Sequence, residues 1–95
     1  MKVLFLKTIV YYGPYGMNRK QITFKHEAQD LNVLPSSGVR LFLESNGEVR
    51  VENIEEVWWY YPNEVRCYLS WSTTSSFEEF CAWEAFYQML GWEKV

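Results

Sequence analysis

His26 is the only histidine, and Cys67 and Cys81 are the only cysteines. These are the side chains best suited to nucleophilic or metal chemistry. A structural zinc site needs four closely spaced ligands, and three scattered residues do not supply one. No Asp-rich loop offers a calcium cradle. A nucleophilic cysteine needs an electropositive, partly exposed setting. Cys67 lies in VRCYLSW and Cys81 in EEFCAWE, both among apolar residues, where a thiol serves as a small hydrophobe and both are expected to be buried. The YYGPYG stretch at 11–16 matches neither a Walker nor a dinucleotide pattern. The sequence therefore predicts no catalytic, cofactor-binding or metal-binding residue, and a protein that is not an enzyme.

Binding chemistry is better represented. Aromatic residues make up 19% of the 95, with five Trp, seven Tyr and six Phe, and Trp and Tyr are favoured at interfaces. Three groups of residues are candidates for holding a partner. The loop at 11–20 offers Tyr12 and Tyr15 beside Arg19 and Lys20, which suits stacking on single-stranded nucleic acid or a tyrosine-rich protein contact. Its bland alternative is a hairpin loop whose rings pack back on the body of the domain. A second group, Trp58, Tyr60, Arg66 and Tyr68, falls on one face of a hairpin, and Trp83 and Trp92 near the C-terminus add to it. The third is an acid run, Glu44, Glu48, Glu52, Glu55, Glu56 and Glu64, offset only by Arg50. Within it Glu52, Glu55 and Glu56 could imitate a nucleic-acid backbone or meet a basic surface if they shared a face; the plainer reading is a solvated hairpin side that discourages edge-to-edge aggregation.

These residues need elements to position them. The chain 1–95 reads as one domain. Residues 2–12, KVLFLKTIVYY, are apolar at both parities, the signature of a strand buried on both faces. Residues 13–18 are a Gly/Pro loop, and 19–26 alternate as a half-exposed strand paired with the first. Residues 27–38 read as an ordered crossing loop. Residues 39–44 and 48–61 flank Asn46-Gly47; a two-residue turn there would set Leu43 opposite Arg50 and mix core with solvent, so a three-residue Ser45-Asn46-Gly47 loop is expected. By the same test Pro62-Asn63-Glu64 joins the 48–61 strand to one at 65–71, placing Val57, Trp59, Tyr61, Val65, Cys67 and Leu69 in the core. Ser75-Ser76 ahead of Phe77-Glu78-Glu79 is a capping box opening a helix at about 76–90 that Gly91 can end. That helix is the natural cover for the second aromatic face.

Five hairpin-linked strands and one terminal helix predict an α+β, mainly β fold: a small five-stranded antiparallel SH3-like barrel, or a strongly bent sheet, with the helix packed on it. An open sheet with the helix across one face is the alternative. Residues 1–26 carry Lys2, Lys7, Arg19, Lys20 and Lys25 and no acid, so all twelve acids follow, beside Arg40, Arg50, Arg66 and Lys94. The net charge of −3 disfavours nucleic acid as partner. No apolar run approaches the ~18 residues of a membrane span, and two cysteines make no disulfide framework, although a Cys67–Cys81 bridge stays open. A cytoplasmic setting is expected. The functional expectation is a non-catalytic protein-interaction module, whose size and acidity suit a small phage or mobile-element protein that inhibits a host nucleic-acid enzyme. A nucleic-acid-binding small barrel and a self-associating homodimer are the alternatives.

Overall fold

The computed structural model describes residues 2–16, 19–28 and 35–95. It is mainly β, with one helix against a curled, half-barrel sheet. The strands are β1 (Lys2–Tyr11), β2 (Lys20–Ala28), β3 (Arg40–Ser45), β4 (Glu48–Tyr60), β5 (Glu64–Leu69), β6 (Ser72–Thr74) and β7 (Glu93–Lys94); the helix α1 spans Phe77–Met89. They form a seven-stranded sheet in the order β3-β4-β5-β1-β2-β7, with β6 also on β1. The five-stranded antiparallel expectation is corrected on two points. The sheet is mixed, because β1 runs parallel to β5 and to β6, and the short β6 and β7 extend it. Of the expected crossing loop, 29–34 lie outside the described residues.

β1 lies centrally, between β2 and the β5–β6 segment, and buries residues of both parities, Val3, Phe5 and Ile9 on one side and Thr8 and Val10 on the other. Its inner side chains Val3, Phe5 and Ile9 meet Phe24, Val65, Cys67 and Leu69 in one core. The helix fills this inner, concave side with Phe80, Phe86 and Tyr87. It is capped as the sequence predicts, the Glu79 N–H donating to Ser76 Oγ at 3.2 Å. At the other end Gly91 is left-handed at φ +86, and Trp92 and Gly91 N–H donate to the Tyr87 and Gln88 carbonyls, a Schellman ending.

Both hairpin registers differ from expectation, with different consequences. Asn46 and Gly47 form a two-residue turn, both at positive φ (51 and 81), so Leu43 does pair with Arg50 and Leu41 with Glu52. That turn matches the natural strand twist. The cost of turning Glu52 inward is offset by Lys7 and Arg50, and Arg50 in turn rests on Glu52 and the Trp83 and Phe86 rings. The expected three-residue loop is corrected, and the single-residue slip exchanges the faces of β4 against β3: Leu41 and Leu43 stay packed on the core, while Val49 and Val51 join Phe42 on the exposed side. In the second hairpin the loop is Tyr61–Asn63 rather than 62–64, with Tyr60 opposite Glu64, Trp58 opposite Arg66 and Val57 opposite Cys67. That shift is by two, so faces are kept; but Trp59 and Tyr61, at the open end, are exposed instead of core. A register shift between Ile54 and Glu56 bends β4 there, letting its first half leave β5 and arch over the helix.

Candidate functional site

The arching hairpin meets the core through a polar cluster. Lys7, at 1% exposure, donates from Nζ to Glu52 Oε2 at 2.6 Å and to the Ser70 carbonyl. Tyr87 Oη donates to Glu52 Oε1 at 2.8 Å, and Arg50 Nε reaches the same oxygen at 3.4 Å. The Arg50 guanidinium lies over the rings of Trp83 and Phe86 at 5.2 and 5.7 Å. Burial pulls the Lys7 ammonium below its usual range, against the pull of Glu52. Burial also pushes the Tyr87 phenol far above its usual range, and the Glu52 carboxylate adds to this. Every member has a partner, and Lys7 is closed to solvent, so the cluster locks the hairpin in register rather than offering a reactive amine.

Three expected surface residues belong to this interior. Glu52 is buried as the anion of the cluster, and Trp83 is half-buried beneath Arg50. Trp92 is buried, stacked on His26 at 5.4 Å and tilted on Tyr87 at 5.2 Å. A ring or an acid near a helix or hairpin looks like surface until the partner element is placed. Lys7 carried the only early signal of the cluster, as a lone cation inside an apolar strand.

Of the tyrosine loop, residues 17–18 lie outside the described residues, and its described rings and cations pair off separately. Tyr11 packs edge-on to Phe77 at 5.4 Å, and Pro14–Gly16 form a single 3-10 turn that leaves Tyr15 almost wholly exposed. Arg19 lies over the Tyr12 ring at 5.4 Å and donates to Gln21, while Lys20 covers the Phe77 ring at 5.0 Å. Both cations are already engaged. The acid run does not share a face either: Glu52 is interior, Glu64 accepts from Arg66, and Glu55 at the bend accepts from Ser70 Oγ. Cys81 is exposed on the helix, a correction, while Cys67 is buried; both are free thiols.

The aromatic face of β4–β5 is brought together as expected, and its expected cover is absent. Alternation puts Glu56, Trp58 and Tyr60 of β4 on the outer side of the sheet with Glu64, Arg66 and Tyr68 of β5. The helix occupies the opposite, inner side, because Phe80, Phe86 and Tyr87 join the core that Val65, Cys67 and Leu69 line. Trp58 is 53% and Tyr60 41% exposed. Arg66 stacks over the Tyr60 ring at 4.3 Å while donating to Glu64 Oε2 at 2.7 Å. Trp58 Nε1 donates to Glu56 Oε2 at 2.8 Å. The neighbouring Tyr68 hydroxyl pushes the Tyr60 phenol upward, burial adds to this, and Arg66 opposes it. Glu56, Trp58, Tyr60 and Tyr68 line an open depression of about 190 Å³. No family model, curated protein or solved structure matches the chain.

Proposed function

We propose that this is a non-catalytic protein-interaction module that binds its partner through the outer face of β4–β5. One observation carries the reading: large rings stand fixed and solvent-facing on a sheet whose helix is spent on the other side. Large amphipathic rings of few rotamers are the usual anchors of protein interfaces. Their side chains are held by Glu56 and Arg66, so little ordering remains to be done on binding. A partner with a basic group fits Glu56 beside the rings. An inhibitor of a host nucleic-acid enzyme, encoded by a phage or mobile element and working in the cytoplasm, is the form of this proposal that suits a small acidic chain with two free thiols.

The test compares tagged wild type with Trp58→Ala/Tyr60→Ala and with Tyr15→Ala as baits, each first checked for an unchanged melting transition. A protein held by wild type and Tyr15→Ala but lost from the double variant supports the reading. Equal capture by the double variant overturns it. Self-association is a second reading, favoured by β3, an edge strand whose Phe42 is 75% exposed. Light scattering decides it: a dimer dispersed by Phe42→Lys supports it, and a monomer removes it.

A further inference from the structure

Glu56 has no cationic partner among the described residues. Its carboxylate accepts from the neutral Trp58 indole. Glu64, on the same face, is matched by Arg66. The depression beside Glu56 is thus walled by three electron-rich ring systems, those of Trp58, Tyr60 and Tyr68, and by one unmatched anion. Ring faces carry negative potential and attract cations, Trp most strongly. Cations of this chain already use such faces, Arg19 on Tyr12, Lys20 on Phe77 and Arg50 on Trp83 and Phe86 elsewhere, and Arg66 on Tyr60 at the depression itself. Trp58 and Tyr68 carry no such cation among the described residues.

The dimensions narrow the occupant further. Sites for drug-sized ligands and cofactors run from about 300 Å³ upward, and this depression, at about 190 Å³ and open on one side, suits the head of a single side chain. Acid and rings together select a compact positive head with apolar flanks. We infer that the Glu56–Trp58–Tyr60–Tyr68 depression receives the alkylammonium head of a partner lysine. The inference rests on the proposed interaction face and names what that face recognises. Arg66 already covers the Tyr60 ring and bonds Glu64, so the partner cation is received by the remaining walls, Trp58 and Tyr68, beside Glu56.

The probes are N-acetyl-lysine methylamide and its Nε-trimethyl derivative, each set against a neutral isostere, the norleucine and tert-butyl analogues. The Trp58 indole N–H resonance, assigned by Trp58→Phe, reports binding to the intact chain. At least one ammonium probe is expected to shift it saturably and to bind about threefold or more tighter than its neutral isostere. Trp58→Ala, read through the Tyr68 ring, should weaken binding about tenfold, and Glu56→Gln about threefold. Trp71→Ala, exposed elsewhere on the surface, should leave it unchanged. Equal binding of ammonium and neutral probes, or no saturable shift by either ammonium, overturns the inference. A partner lost from Trp58→Ala/Tyr60→Ala but indifferent to the ammonium probes would leave the interaction face standing and remove the lysine pocket alone.

Discussion

Replacing Glu52 by Leu isolates the energetic role of the buried cluster. The substitution removes the acceptor shared by Lys7, Tyr87 and Arg50. Lys7 is left, 1% exposed, with only the Ser70 carbonyl. Breaking one partner out of a buried ion pair costs about 3–5 kcal/mol, and an orphaned buried hydroxyl such as Tyr87 costs about 1–3 more. These are not additive, so about 4 kcal/mol is expected. A 95-residue domain is stable by roughly 5–14 kcal/mol, so the variant should fold but lie close to the threshold. Its deficit must also depend on pH. Lys7 already sits below its ordinary 10.5 through burial, and loss of Glu52, which raises it, lowers it further, Arg50 acting in the same sense. Between the folded value and 10.5 the unfolded chain binds the extra proton, so stability rises with pH there, by up to about 1.4 kcal/mol per unit. Below the folded value it is flat. In the variant the rising window opens at lower pH and is wider, so the deficit shrinks as pH climbs. Urea unfolding between about pH 6 and pH 10 reads this directly. Lys7→Met added to Glu52→Leu should restore about 2 kcal/mol or more, although Tyr87 stays unpaired. A cost under about 1 kcal/mol with no pH slope, or a double variant no better than the single, would refute the buried pair as the lock of the hairpin.

Two further outcomes follow from local geometry. In the native protein a thiol reagent should label Cys81, exposed on the helix, far faster than Cys67, which is buried and whose thiol is pushed up by desolvation; equal rates, read by mass spectrometry, would contradict the core assignment. Gly47→Ala should destabilise by about 1–2 kcal/mol in urea unfolding, because φ +81 is costly for any side chain although space around the position is open; a neutral result would count against the two-residue turn.

Several elements are written locally in the chain. Hydrophobic parity marks β1 as a strand apolar on both faces, Ser76 and Glu79 fix the start of the helix, and the period of two puts Trp58, Tyr60, Arg66 and Tyr68 on one side of the second hairpin. Those signals depend on neighbours a few residues apart. The face assignment survived even a misplaced loop, because the register error was by two residues.

What the chain could not show locally is which elements cover which faces. The register of the first hairpin turned on whether an inward Glu52 would find a cation, and that cation, Lys7, lies 45 residues away. The same contact decided that Glu52 would be interior, with Trp83 half-buried beneath Arg50. Trp92 became core because Schellman capping turns the chain back over His26 and Tyr87. The outer rings stayed open because the helix has one set of large side chains to bury, and the concave side of the curled sheet encloses them while the convex side cannot. Sequence period sets which residues share a face, and long-range packing decides which faces meet water.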